Sequence, residues 1–207
     1  MNGLDADALI HFWTFALRLK RLRRTGWVDR GVDDPESGAA HSWGVALLAW
    51  MLAREQPDLD RDRVMLLGLV HDLPEAIAGD PTPFDDVRDE SGVIPASHFA
   101  TAPGYSDAAR DAKQQAEAAA LDEMLRDLPS DLAGELRSAW QEYEQGQTAE
   151  ARFVRQIDKL ETLMQAEDYR DLQPDLVIDS FRIGARRDVS EPALAALLEA
   201  RLSQRPE

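Results

Sequence analysis

The sequence contains no cysteine, which excludes disulfide bonds and thiolate metal ligands. This absence is compatible with a reducing compartment, and we expect a cytoplasmic protein. No low-complexity linker divides the 207 residues. The hydrophobic content of 44% is enough for one substantial core. We therefore expect a single globular domain spanning residues 1–207.

Long uncharged hydrophobic stretches are also missing. The apolar segment LIHFWTFALRL, near the N-terminus, contains His11 and Arg18 and follows Asp5 and Asp7. Charges at these positions argue against both a secretory signal and a membrane span. The segment is instead predicted to form an amphipathic helix, and no membrane partner is expected.

Positive charge is scarce: 23 basic residues stand against 39 acidic ones, for a formal net charge of -16. Such a surface repels phosphate backbones and anionic membranes, so nucleic acid is not expected as a partner. The exception is the basic run RLKRLRR, from Arg18 to Arg24. This run could steer a small anionic molecule toward the protein.

Convincing alternating strand patterns and internal repeats are absent too. Apolar residues instead recur at helical spacing, and capping residues or prolines mark several boundaries. The sequence predicts an all-α fold, a single helical bundle. Prolines place residues 80–86 in a loop, and a long loop or flap is expected at about residues 86–111. The main predicted helices cover about residues 9–20, 45–52, 62–79, 112–128, 130–146, 148–169 and 192–202.

The stretch VMLLGLVHDLPEAIAGDPTP begins as a hydrophobic helix and then becomes polar at His71, Asp72 and Glu75. Helical spacing would place these three side chains on one surface. Pro74 lacks an amide hydrogen and should loosen the helix there. A polar cluster at a deformed helix indicates a functional site.

Histidine and aspartate are suitable metal ligands, but the dipeptide alone is weak support. With four histidines and 24 aspartates in 207 residues, about 0.5 His-Asp pairs are expected by chance. A catalytic metal needs more ligands and an open position. Two candidates are His41, just before WGVALLAWML, and Asp158, beside Ile157 in FVRQIDKLETLM. A carboxylate on such an apolar stretch is costly to bury unless it is paired or metal-bound.

The ordered set of His41, His71-Asp72 and Asp158 resembles the H…HD…D signature of the HD-domain phosphohydrolases. Further blocks are similar to the subgroup that acts as 5′-deoxynucleotidases, and the similarity runs from about residue 9 to residue 171. These blocks are LKRLRRTGWVDRGV, PESGAAH, LGLVHDLPEAIAGDPTPFD and AWQEYEQGQTAEARFVRQIDKLETLMQAEDY. Four such blocks in the same order are specific for this family, whereas the His-Asp dipeptide alone is not.

The resemblance implies a metal-dependent phosphomonoesterase that converts deoxynucleoside 5′-monophosphates to nucleoside and phosphate, and it favours a homodimer. It implies Glu75 and Asp80 as catalytic carboxylates and Arg24 as a ligand of the substrate phosphate. The ligands implied for one divalent metal ion are His41, His71, Asp72 and Asp158. These two imidazoles and two carboxylates suit Mn, Co, Fe, Zn or, more weakly, Mg.

Two other functions stay open at this point: an HD hydrolase acting on another phosphate ester or a signalling nucleotide, and a non-catalytic HD-fold binding protein. The residues also allow plainer interpretations. Asp80 could be a turn residue before Pro81, Arg24 could belong to a solvated helix face, and Trp27 is expected in the core. Which of Glu75 and Asp80 carries a proton is likewise open.

Overall fold

The computed structural model describes residues 5–204, and the expected domain ends, 1–4 and 205–207, lie outside this range. The all-α prediction is confirmed: across residues 5–204 no strand forms, and one isolated antiparallel bridge joins Arg23 to Ser37. No helix in the described range is long and apolar enough to cross a membrane. The helices are α1 Ala6–Leu19, α2 Thr25–Val28, α3 Gly38–Leu52, α4 Arg61–Val70, α5 Glu75–Ala78, α6 Asp107–Leu125, α7 Ser130–Gln145, α8 Ala149–Leu172, α9 Asp179–Asp188 and α10 Pro192–Ser203.

Helix α8 is the centre of the bundle and contacts α3, α4, α7, α9 and α10. Its residues Ile157, Leu160 and Leu163 are completely buried, at the three-residue spacing that makes one helix face apolar. Side chains from α3 and α4 close the core around this face, among them Val45, Ala49, Val64 and Leu67. Asp158, adjacent to Ile157, is therefore brought to the inner side of the bundle.

Several helix ends follow from local chemistry. The Thr148 side chain accepts a hydrogen bond from the Ala151 amide and caps α8, as its position in the sequence predicts. Gly146 ends α7 with φ at +62°, a conformation that favours glycine. The sequence suggests Asp62 as the cap of α4, but the cap is Asp60, two residues earlier. The side chain of Asp60 accepts hydrogen bonds from the amides of Asp62 and Arg63.

The single helix expected from about residue 62 to Gly79 is divided. Helix α4 ends at Val70, and the short helix α5 begins only at Glu75. Pro74 has no amide hydrogen to donate to the Val70 carbonyl, which instead accepts a shorter-range bond from the Leu73 amide. His71 and Asp72 thus lie in the turn between two helices.

Helices α3 and α4 approach each other closely at Gly68. A Cβ atom at this position would lie 2.7 Å from the Cα atom of Ala46. Only glycine leaves room for two backbones at such a distance. The approach sets the separation between the start of α3, which carries His41, and the end of α4, which precedes His71.

The segment between α5 and α6 is mostly irregular but is packed on the bundle. Its Phe84 and Phe99 form a small apolar cluster together with Ile94. The guanidinium of Arg30 lies 4.1 Å from the Phe99 ring and 4.2 Å from the ring of Phe181 in α9. Helix α6 starts at residue 107, so the last residues of the expected 86–111 loop are helical.

Replacing Gly68 with alanine should lower the free energy of unfolding by about 1–3 kcal/mol, because the new methyl group overpacks the contact with Ala46. Gly134→Ala in α7 is the matched control, since nothing lies within 4 Å of its added Cβ. That substitution should stabilise the helix by roughly 0.5–1 kcal/mol. Urea unfolding measures both values, and equal effects at the two sites would contradict the close approach.

Candidate metal centre

Three parts of the chain bring the candidate ligands together. His41 comes from α3, His71 and Asp72 from the turn after α4, and Asp158 from α8. The two imidazole Nε2 atoms are 3.3 Å apart. The Nε2 atom of His41 is 3.2 Å from Oδ1 of Asp158, and that of His71 is 3.3 Å from Oδ2 of Asp72. Both histidines are buried.

The other ring nitrogen of each histidine is held by an acceptor. Nδ1 of His41 donates to Oε2 of Glu161 at 2.6 Å, and Nδ1 of His71 donates to the Gly68 carbonyl at 2.8 Å. Neutral imidazoles in these tautomers direct the lone pairs of both Nε2 atoms at each other. These lone pairs and the facing carboxylate oxygens repel one another unless a cation or a proton lies between them.

A proton on His41 can supply part of this positive charge. Burial and Arg24 act to lower the pKa of His41, but the hydrogen bonds with Asp158 and Glu161 outweigh them and raise it to about 10. Burial acts to raise the pKa of Asp158, yet Lys159 and His41 hold it well below its usual value. A divalent ion would compete with this proton, because ligand imidazoles are neutral. Buried imidazole nitrogens and carboxylate oxygens that need positive charge fit a divalent metal.

The second oxygen of Asp158 has partners of its own. Oδ2 accepts hydrogen bonds from the Tyr143 hydroxyl at 3.0 Å and from Nζ of Lys159 at 2.8 Å. These bonds orient the carboxylate and leave Oδ1 facing His41. Sequence reasoning did not single out Tyr143, Lys159 or Glu161. Only the three-residue spacing of Asp158 and Glu161 on α8 could have suggested a shared face.

Arg24 is the member of the basic run that reaches the site. Its side chain is 17% exposed, and one guanidinium nitrogen donates to Oδ2 of Asp72 at 2.6 Å. It precedes α2 rather than lying on a solvated helix face, so that alternative is wrong. Trp27 is 1% exposed, which confirms its expected place in the core.

Two further carboxylates surround this centre. Glu75 begins α5 and is 3% exposed, and burial, followed by Asp72 and Asp80, raises its pKa well above the usual value. Oδ2 of Asp80 accepts a hydrogen bond from the Thr25 amide at 2.6 Å. This bond caps the start of α2 and holds Asp80 beside Arg24. The structure therefore brings every candidate site residue into one region.

Comparisons with known proteins agree with this geometry. A family model described as HD domain matches residues 16–193. The 5′-deoxynucleotidase HDDC2 of Bos taurus is 37% identical over 84% of this chain and 73% of its own length. The 5′-deoxynucleotidase hdd1 of Schizosaccharomyces pombe is 31% identical over 82% of this chain and 76% of its own.

Solved structures are similar as well. A conserved hypothetical protein from Pyrococcus furiosus is 27% identical with a TM-score of 0.66, over 94% of this chain and 99% of its own. A predicted metal-dependent phosphohydrolase from Magnetospirillum magnetotacticum is 26% identical with a TM-score of 0.64. That match covers 95% of this chain and 90% of the other. The likeness extends over almost the whole fold.

Replacing Glu161 with glutamine should lower the affinity for divalent metal by roughly 10–100-fold, because the charged acceptor that orients His41 is lost. Titration of the metal-free protein, followed by elemental analysis, measures the affinity. Asp168→Asn on the same helix removes the same charge from an exposed side chain and should change it little. Equal losses in both variants would show that net charge, and not the hydrogen bond, controls affinity.

Proposed function

This chain belongs to the HD domain family, and from that premise we propose that it is a metal-dependent phosphomonoesterase. Its reaction is the hydrolysis of deoxynucleoside 5′-monophosphates to nucleoside and phosphate. The observation that carries the proposal is the convergence of ligand atoms from His41, His71 and Asp72 within 4.8 Å of one another. The relatives named 5′-deoxynucleotidases, at 31–37% identity, support the substrate class.

In this proposal one divalent ion would be held by two imidazole nitrogens and two carboxylate groups. Such donors suit Mn, Co, Fe or Zn, and Mg more weakly. When bound, the ion supplies positive charge for the phosphate and makes water more acidic. The proposed ligands are His41, His71, Asp72 and Asp158.

Arg24 is proposed to bind the substrate phosphate. Among the described residues, Asp72 is the one hydrogen-bond acceptor of its guanidinium, which carries five N–H groups. The remaining N–H groups can form paired hydrogen bonds with two phosphate oxygens. The ion pair with Asp72 would hold this planar group at the edge of the metal centre, so phosphate and metal would meet in one place.

Glu75 is proposed to transfer a proton or to orient water. Burial raises its pKa above the ordinary value, which shifts the carboxyl group toward the protonated form, and a protonated carboxyl can donate to the departing 5′-oxygen of the nucleoside. Asp80 is the second candidate. Its bond to the Thr25 amide occupies one oxygen, while Glu75 has one oxygen with no hydrogen-bond partner among residues 5–204.

A cytoplasmic homodimer also belongs to the proposal. On α3, Trp43, Leu47 and Met51 lie on one helix face, four residues apart, and are 65%, 41% and 55% exposed. An apolar face of this kind is typical of a surface that pairs with another chain. The absence of cysteine is compatible with the cytoplasm. Sedimentation of the purified chain measures the assembly.

The proposed function is tested by loading the protein with each divalent metal and measuring phosphate release. We expect metal-dependent turnover of dAMP with a higher kcat/KM than that of AMP, and little turnover of a phosphodiester. Asp158→Ala should abolish both metal binding and turnover, because it removes one of four ligands. Equal kcat/KM for dAMP and AMP would indicate a general nucleotidase, and preference for the diester would contradict the proposal.

Glu75→Gln should keep metal binding but lower kcat by about 10²–10⁴-fold, the usual contribution of a positioned acid or base. The amide preserves size and hydrogen bonding but cannot exchange the proton. Asp80→Asn, measured in parallel, compares the two carboxylates directly. Turnover at the parent rate in Glu75→Gln, with normal metal content, would transfer the role to Asp80.

A further inference from the structure

A lysine on α6 reaches the carboxyl group of Glu75. The chain has three lysines among its 23 basic residues, and two of these, Lys113 and Lys159, contact carboxylates of the site. Nζ of Lys113 lies 3.3 Å from Oε1 of Glu75 and also contacts Oε1 of Glu117, one helical turn further along α6. Glu75 and Glu117 are each 3% exposed. The ammonium therefore bridges two buried carboxyl groups.

Helix stability does not account for this arrangement. Lysine preceding glutamate by four residues is the less favourable order for such a pair on a helix. Removing the Glu117 carboxylate from water, and the Lys113 ammonium in part, also costs free energy that their mutual attraction often fails to recover. A surface ion pair would support α6 equally well. Glu117 is buried and Lys113 is partly buried, and this pair is better explained by the group that Lys113 contacts.

Lys113 contacts one of the two oxygens of the Glu75 carboxyl group. Oε1 is held by Lys113, whereas Oε2 is buried and has no hydrogen-bond partner among the described residues. A buried carboxyl oxygen without a partner is rare in folded proteins. Holding one oxygen fixes the rotation of the carboxyl plane and leaves the other oxygen without a protein hydrogen bond.

The segment before α6 supports the neighbouring loop in the same way. The hydroxyl of Tyr105 donates to the carbonyl of Pro81, the residue after Asp80. Apolar side chains of Leu73, Ala76 and Met124 pack together where α6 meets the turn and α5. Tyr105, Lys113 and Met124 thus support the segments that carry the two candidate carboxylates.

We infer that Lys113 is a positioning residue for the phosphomonoesterase reaction and that Glu117 anchors it. Lys113 holds the Glu75 carboxyl group in the orientation that proton transfer or water orientation requires, and Glu117 holds the ammonium in place. This inference rests on the proposed role of Glu75. It assigns to α6 a part in turnover that is separate from metal binding.

The test begins with Lys113→Met, which keeps the aliphatic stem and removes the charge. We expect kcat for dAMP to fall by about 10–100-fold, the scale of a small misplacement of a catalytic group, with metal content and KM unchanged. Lys113→Arg should recover a large part of kcat. Arg110→Met, one turn earlier on α6 at an exposed position, is the matched control and should retain the parent rate.

A double-mutant cycle separates positioning from folding. If Lys113 acts through Glu75, Lys113→Met added to Glu75→Gln should lower kcat no further. Equal fold losses in the parent and Glu75→Gln backgrounds, or an unchanged kcat in Lys113→Met, would overturn the inference. Should Lys113→Met not fold, Glu117→Gln takes its place in the cycle with the same two outcomes.

The same measurements distinguish this inference from the proposed function. Absence of metal-dependent dAMP hydrolysis in the parent protein would refute the function itself. A parent rate in Glu75→Gln would refute the role of Glu75 and the inference with it. Loss of kcat in Glu75→Gln together with a parent rate in Lys113→Met would refute the role of Lys113 alone.

Discussion

The close contact of α3 and α4 at Gly68 is the constraint on which the site depends. With no side chain at this position, the α4 backbone lies against Ala46, and His41 and His71 meet with their Nε2 atoms 3.3 Å apart. The same glycine contributes its carbonyl to Nδ1 of His71. One residue thus sets both the distance between the two imidazoles and the tautomer of one of them. A larger residue would separate the helices and disturb both.

The helix break at Pro74 separates the positions of His71 and Glu75. A continuous helix would place Glu75 one turn beyond His71 on the same cylinder. The turn instead lets α4 end at the metal centre while α5 begins against α6. Glu75 can then contact Lys113. At the break, a bond from the Leu73 amide to the Val70 carbonyl replaces the helical hydrogen bond that Pro74 cannot form.

Buried charge in this strongly acidic chain is balanced by pairing. Asp72 faces Arg24, Asp158 faces Lys159, and Glu161 accepts from His41. Each contact offsets part of the desolvation of a carboxylate. Carboxylate oxygens of Asp72 and Asp158 face the point where the two Nε2 atoms meet. The electrostatics of the site therefore favour a multivalent cation at that point, in agreement with the metal dependence of HD domains.

The sequence by itself determined the features that act over a few residues. The all-helical class, the cap at Thr148, the helix end at Gly146 and the disruption at Pro74 all follow from local backbone chemistry. The order of quoted motifs also identified the chain as an HD domain and placed His41, His71, Asp72 and Asp158 in one candidate set. The caps and helix ends depend on residues a few positions apart, and the family resemblance depends on the order of short motifs along the chain.

Only the tertiary structure decided which distant groups meet. Glu161 binds a ring nitrogen 120 positions earlier, Lys113 reaches a carboxyl group 38 positions earlier, and Asp80 caps a helix that begins 55 positions before it. No spacing rule connects such pairs, because helix packing sets their distance and their orientation. Partners of buried charged groups are chosen by which side chains the folded core brings within hydrogen-bond distance, and a linear sequence does not contain that distance.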